Sequence, residues 1–166
     1  MPRSRALLAL APACAALLVG CSAIPKAAAM RVDDVTRART LPASVEVHVS
    51  GGQDFDFRVS DAQFEEALRE SLAESGVFSR VADRAADYRL DVVLGDDAGV
   101  EGREITVLWS LSHRETGETV WQELIASKGK SFQLVGVVRL RRSIEMAAKE
   151  NIQLGIERLS RLDLPR

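Results

Sequence analysis

Apolar and polar residues alternate in three short segments between residues 44 and 112, and near residue 137 the period lengthens to that of a helix. The alternating segments are Ser44–Ser50, Tyr88–Leu94 and Glu104–Ser112, and turn residues around Gly117 predict a fourth strand, Thr119–Ser127. Strict alternation is typical of a β-strand with one buried face and one solvated face. The sequence therefore predicts a sheet with one apolar face, whose polar face carries Glu46, His48, Arg89, Asp91, Thr106 and Ser110.

Two helices are predicted around these strands. Ser60 and Gln63 have the spacing of a capping box, and Gly76 is suited to end the helix that follows. A second helix is predicted from Val137 to Leu162, because apolar residues recur there along one face. That stripe consists of Leu140, Ile144, Ala148, Ile152, Gly155, Leu159 and Leu162.

The predicted order of elements is β-α-β-β-β-α. Strands two to four are expected to form an antiparallel meander, with both helices covering one face of the sheet. The fold class is therefore α+β, a two-layer sandwich with a mostly antiparallel four-stranded sheet. The position of the first strand in that sheet stays open.

The first 21 residues have the layout of a bacterial lipoprotein signal. Arg3 and Arg5 precede an apolar run from Ala6 to Val19, which is shorter than the roughly twenty residues that span a bilayer. The run ends in Leu18-Val19-Gly20-Cys21, which resembles the lipobox of bacterial lipoproteins. The resemblance implies cleavage after Gly20 and lipidation of Cys21, which would hold the protein stably on a membrane.

The same resemblance implies a location. Ser22 follows the cysteine where an inner-membrane retention signal would have Asp, which favours an outer-membrane anchor with the domain facing the periplasm. Cys14 would leave with the signal peptide, so a mature chain lipidated at Cys21 has no thiol for a disulfide.

Three regions follow from this division: a signal peptide over 1–20, the lipidated Cys21 with a flexible tether to 43, and one periplasmic domain over 44–166. Residues 22–43 show no sustained apolar periodicity, which is the basis for the tether. Loss of Arg3 and Arg5 leaves 20 Lys and Arg against 24 Asp and Glu. A net charge near −4 argues against nucleic acid as a partner.

Candidate ligand sites have alternative explanations. Gly129-Lys130-Ser131 lacks the upstream glycine of a phosphate-binding loop, and a surface turn is the favoured interpretation. An acidic loop lacks the spacing of a calcium loop, so a solvated loop is favoured over a metal site. Its members are Asp96, Asp97, Glu101 and Glu104.

The remaining candidates are basic and aromatic side chains. His48 and His113 are expected to be separate surface residues rather than a catalytic or zinc pair. A basic cluster at the start of the last helix comprises Arg139, Arg141 and Arg142. It suits either an anionic partner or, the favoured interpretation, pairing with Glu145. Trp109 and Trp121 are expected in the core or as a cross-strand pair, with a ligand platform as the alternative.

The order of elements over residues 44–162 resembles that of the lipopolysaccharide-assembly lipoprotein family, whose members plug an outer-membrane β-barrel. The segments "FEEALRESLAESGVF" and "LRRSIEMAAKENI" resemble those of uncharacterised envelope lipoproteins. These likenesses imply a Gram-negative envelope lipoprotein.

Three functions stay open at this point. The first, and favoured, is a non-catalytic binding or assembly module with an envelope protein partner and no cofactor. The second is an accessory protein that handles lipid or lipopolysaccharide in an envelope transport system. The third is an enzyme, for which no catalytic constellation is found. A flat exposed patch favours the first, a deep apolar pocket the second, and converging titratable groups the third.

Overall fold

The computed structural model describes residues 24–35, 37–54, 58–95, 104–130 and 136–164. Outside these ranges lie the signal peptide, Cys21, Ser22, Ser131 and the acidic-loop residues Asp96, Asp97 and Glu101. The described elements, in chain order, are α1 (Ala27–Met30), β1 (Leu41–Ser50), α2 (Asp61–Ser75), β2 (Phe78–Ala82), β3 (Tyr88–Leu94), β4 (Glu104–His113), β5 (Thr119–Lys128) and α3 (Gly136–Leu159).

The sheet has five strands in the order β2-β1-β3-β4-β5. β1 is parallel to both β2 and β3, whereas β3, β4 and β5 form an antiparallel meander. The α+β class and the meander are as predicted, but the expectation of a mostly antiparallel four-stranded sheet is wrong. β2 was missed because its five residues, Phe-Ser-Arg-Val-Ala, are too few to show a clear alternation.

The parallel half of the sheet is built around β1. β2 pairs with the first part of β1 as far as Glu46, and β3 pairs with the second part from Val45 onward. Because β2 and β3 lie on opposite sides of β1, residues 83–87 must cross that strand. At this crossing the carboxylate of Asp87 accepts hydrogen bonds from the backbone N–H and the hydroxyl of Ser44, both at 2.7 Å.

Helices α2 and α3 cover the same face of the sheet, as predicted. α2 packs on β1 and β2, and α3 packs on β4 and β5. α2 begins at the expected capping box of Ser60 and Gln63 and ends at Gly76, whose φ of 62° suits a left-handed cap. Among the described residues, no helix combines the length and the apolar composition needed to cross a bilayer.

Helix α3 is held on the sheet by a buried polar side chain. The indole Nε1–H of Trp109 donates to Asn151 Oδ1 at 3.0 Å, and Asn151 Nδ2 donates to the carbonyl of Ile125 at 2.8 Å. Gly155 lies against the same indole, and a Cβ there would come within 2.5 Å of the ring. Close packing at Gly155 and the hydrogen bonds of Asn151 together fix the register of α3 on β4 and β5.

The flexible tether predicted for residues 21–43 does not hold for residues 24–35 and 37–43. Met30 and Val32 are buried in the core, and the backbone N–H of Val32 donates to Ser71 Oγ at 2.9 Å. The short helix α1 packs against α2 and α3, and β1 already begins at Leu41. The segment lacks periodicity because it is mostly irregular, and its burial depends on apolar sites supplied by distant helices.

Candidate functional site

The outer face of the sheet is the side that α2 and α3 leave uncovered. In one half of this face, the polar side chains lie on the outer side of the sheet, as predicted. Arg89 pairs with Asp91 at 2.8 Å, Arg114 pairs with Glu46 at 3.0 Å, and Thr106 and Ser110 are half-buried on β4. These charges largely compensate one another, so this half forms a solvated surface rather than a charged patch.

One row of this face brings together a histidine, an aspartate and a serine. His48 on β1 is in register with Asp91 on β3, and Asp91 is in register with Ser110 on β4. Neighbouring strands are about 4.8 Å apart, so His48 and Ser110 are separated by about 10 Å with the aspartate between them. Nucleophilic catalysis by a serine needs the imidazole in the middle of such a triad. The row does not have that arrangement.

A second row of the outer face is apolar, and sequence analysis missed it. Val93 on β3 is in register with Leu108 on β4, and Leu108 is in register with Leu124 on β5. Val93 is 40% exposed and Leu124 is 65% exposed. The outward positions of all three could be read from the alternation, but only registration across the strands shows that they form one continuous row. We call Val93, Leu108 and Leu124 the apolar row.

The apolar row ends at an open strand edge. β5 is the last strand of the sheet on this side and pairs with β4 alone among the described strands. An edge strand presents unpaired backbone N–H and C=O groups that another chain can pair with. The apolar row and the β5 edge therefore form a flat surface with both apolar and backbone contacts to offer.

The basic cluster at the start of α3 is partly used for internal pairing, as favoured. Arg141 and Arg142 approach the carboxylate of Glu145 at 3.6 and 3.4 Å, and the Glu145 side chain is only 3% exposed. Glu145 Oε1 also accepts the backbone N–H of Lys26 at 3.2 Å. Arg139 lies on the exposed side of the helix. Glu145 thus links α3 and its basic cluster to the start of the described chain.

The aromatic and histidine candidates lie apart. Trp109 is fully buried beneath α3, and Trp121 is half-buried on the same inner face, in register with Leu111. His113 packs edge-on against the ring of Tyr88 with the ring centres 5.3 Å apart. Burial, with a smaller contribution from Asp87, raises the pKa of Tyr88 above its ordinary value. His113 therefore lies on the inner face beside Tyr88, whereas the exposed His48 lies on the outer face.

The other sequence candidates have structural roles where they are described. Glu104 pairs with Lys128 at 3.1 Å across β4 and β5. Gly129 of the Gly-Lys-Ser stretch lies so close to the carbonyl of Ser143 that a Cβ would clash with it. Within the described ranges no cluster of His, Cys, Asp and Glu has the geometry of a metal site. A wide depression of about 480 Å³ lies over the outer side of α2, lined by Ala62, Glu65, Glu66, Arg69 and Glu70.

The similarity of this chain to known proteins lies in its fold. No protein-family model and no curated protein matches the sequence. A Xanthomonas campestris protein of family DUF330 superposes with a TM-score of 0.58 at 12% identity, over 76% of this chain and 91% of its own. A PelC dodecamer from Paraburkholderia phytofirmans gives a TM-score of 0.51 at 17% identity, over 76% of this chain and 96% of its own. A candidate lipoprotein from Caulobacter crescentus gives a TM-score of 0.51 at 16% identity, over 70% of this chain and 87% of its own.

At these identities the superpositions establish a shared fold and no activity. The neighbours come from Gram-negative bacteria, and one of them is named as a lipoprotein.

Proposed function

We propose that this protein is a lipid-anchored envelope lipoprotein that works by binding a partner protein, without catalysis. The observation that carries the proposal is the apolar row of Val93, Leu108 and Leu124 on the uncovered sheet face, which ends at the open edge of β5. Exposed apolar side chains that adjoin one another and have polar neighbours are a feature that protein interaction sites share.

The surface suits a protein partner in two respects. Its apolar side chains supply contact area, and polar side chains such as Ser110, Thr106 and Gln122 surround them, as in the core and rim of a protein interface. The β5 edge can also accept an additional strand from a partner. Because a PelC chain of similar fold assembles as a dodecamer, a second copy of this chain is one partner to test.

The anchor is proposed on the lipobox. Cys21 would carry the lipid, and Ser22 favours the outer membrane over the inner. Metabolic labelling of cells with a palmitate analogue should label the parent protein and leave Cys21→Ser unlabelled. Continued labelling of Cys21→Ser would show that the anchor is elsewhere.

Site-specific photo-cross-linking in intact cells tests the binding surface. A cross-linking amino acid at Leu124 should trap a partner, whereas the same group at the exposed Glu66 on α2 should trap little. The mass of the adduct separates a second copy of this chain from another envelope protein. Equal yields at the two positions, or none at Leu124, would contradict the proposed surface.

Lipid or lipopolysaccharide handling is the alternative, and it needs an apolar cleft between helices and sheet. At Gly155, α3 lies directly on the Trp109 ring, so at this point there is no cleft between helix and sheet. The non-catalytic part of the proposal has its own test, because His48→Ala and His113→Ala should leave the cellular phenotype unchanged, singly and together. Loss of function in either variant with an intact fold would favour an enzyme.

A further inference from the structure

The described chain begins beside the first half of α3. Ile24 is the first described residue, and the backbone of Lys26 is held by Glu145 through the 3.2 Å hydrogen bond. Only Ser22 and Ala23 separate Ile24 from Cys21. Three residue steps of at most about 3.6 Å place the Cys21 backbone within about 11 Å of Ile24. An anchor on Cys21 would therefore keep this end of the domain at the membrane.

The side chains around this point are apolar and basic. Of the five large apolar side chains exposed in the described ranges, Ile24 and Met146 lie here, at 40% and 48% exposure. Arg139 and Arg142 lie on the same side of α3 as Met146, at helical spacing, and both are exposed. We call Ile24, Lys26, Arg139, Arg142 and Met146 the anchor-proximal surface.

The net charge of this end is positive. Lys26, Arg139, Arg141 and Arg142 contribute four positive charges, and the buried carboxylate of Glu145 compensates one of them. Asp33 is paired with Arg31 and Lys149. Glu150, one turn after Met146, accepts only an uncharged backbone N–H and keeps its charge, which leaves a surplus of two positive charges. Basic side chains beside exposed apolar ones are the combination that binds the interface of an anionic bilayer.

From this juxtaposition we infer that the anchor-proximal surface lies on the anionic phospholipid headgroups of the membrane that holds the anchor. The inference rests on the proposed lipidation of Cys21. Because α3 and the apolar row lie on opposite sides of the sheet, this orientation turns the apolar row away from the membrane. The anchor then sets the direction in which the domain presents its binding face, in addition to its location.

Chemical tethering gives a direct test of the orientation. Residues 21–166 contain every described element, and Cys21 is their only cysteine, so they can be coupled through Cys21 to a maleimide phospholipid. The vesicles contain brominated phosphatidylglycerol, which quenches tryptophan near the bilayer. The variants are Met146→Trp on the anchor-proximal surface and Leu124→Trp on the apolar row, with the parent Trp109 and Trp121 as the baseline.

We expect the added tryptophan of Met146→Trp to lose several-fold more emission than that of Leu124→Trp. Brominated phosphatidylcholine vesicles should quench Met146→Trp less, because they lack the net anionic charge. Adding Arg139→Glu and Arg142→Glu should also lower the quenching, whereas the charge-matched pair Arg84→Glu and Arg161→Glu should not. If the first pair does not fold, Arg139→Glu alone gives the same comparison, since Arg139 is exposed.

The results separate this inference from the proposed function. Equal quenching of Met146→Trp and Leu124→Trp, or greater quenching of Leu124→Trp, would overturn the orientation whatever the labelling of Cys21 in cells shows. Equal quenching on the two lipids would overturn the anionic contact. Because the coupling to the vesicle is chemical, absence of palmitate labelling would contradict the lipoprotein proposal alone.

Discussion

The antiparallel and parallel halves of the sheet are assembled from contacts of different range. β3, β4 and β5 follow one another along the chain, and α3 comes next and covers β4 and β5. In the parallel half, β1 pairs with strands that lie beyond α2, and its Ser44 is bonded to Asp87, 43 residues later. Parallel strands need such long crossovers because the chain must return to the same end of the sheet.

The two halves also differ in how their layers are closed. One long helix, α3, covers the antiparallel half and buries Asn151 and Gly155 against Trp109. The parallel half is covered by α2, and the irregular segment that contains Met30 packs across the helices. Regular periodicity therefore marks only part of this core, because a four-residue helix and the irregular residues after it also supply buried side chains.

The largest effect is expected in the core beneath α3. Ile152 is fully buried, so Ile152→Asp would place an unpaired charge in an apolar environment and cost more than about 4 kcal/mol. We expect this variant to be unfolded or nearly so at ambient temperature, measured by thermal or urea denaturation followed by circular dichroism.

Arg161→Asp is the matched control, since Arg161 is exposed just beyond the end of α3. Its stability should stay within about 0.5 kcal/mol of the parent value. Equal melting temperatures for Ile152→Asp and Arg161→Asp would show that α3 does not bury this face.

Features that depend on local sequence were predicted correctly, whereas features that depend on distant contacts were not. The bounds of β3 and the capping box at Ser60 were predicted correctly because strand alternation and capping are local signals. The pairing of β1 was left open and β2 was missed, since parallel pairing leaves no mark in the residues between the strands. Met30 and Val32 were assigned to a tether because a four-residue helix and an irregular segment have no period to detect.

The contacts at the candidate surfaces also differ in whether they could be predicted from local sequence. The ion pairs of Arg141 and Arg142 with Glu145 could be predicted from helical spacing alone. The apolar row could not, because the register of three strands determines whether Val93 and Leu124 lie on one line. The proximity of Lys26 to Glu145 is also non-local, because the two residues are 119 positions apart in the sequence, and sequence spacing carries no signal for it.

The next largest effect tests the irregular segment. Met30 is completely buried, so Met30→Ala should lower the free energy of unfolding by about 2–5 kcal/mol through lost burial and the cavity that remains. Denaturant titration measures the change, and Ala28→Ser at an exposed position of α1 is the control. A flexible tether would tolerate Met30→Ala without loss, and that result would contradict the packing of this segment.

A smaller effect is expected at the contact between α3 and β4. The methyl group introduced by Gly155→Ala would press against the Trp109 ring, which costs more than the helix propensity that alanine gains. We expect a net loss of up to about 2 kcal/mol, which is the difference between these two effects. Gly136→Ala has open space around its new Cβ and should be neutral or stabilising. Similar gains for both variants would show that α3 lies farther from β4.

The smallest effect concerns the crossing of β1 and depends on pH. Hydrogen bonds from the hydroxyl and the backbone N–H of Ser44 hold the pKa of Asp87 below its ordinary value of 3.8. The folded state therefore binds this proton more weakly than the unfolded state. The stabilisation by Asp87 is fully present above pH 3.8 and is lost as the pH falls through the lower pKa of the folded state.

Asp87→Asn should therefore be less stable than the parent at neutral pH, and the gap should close on acidification below pH 3.8. The side chain is exposed to solvent, so we expect a difference of less than about 1 kcal/mol. Urea titrations at several pH values measure this gap, with Glu115→Gln in the exposed β4–β5 turn as the control. A gap that stays constant or widens below pH 3.8 would mean that the bonds to Ser44 do not depend on the ionised carboxylate. The crossing of β1 would then be held mainly by backbone pairing, as in the antiparallel half.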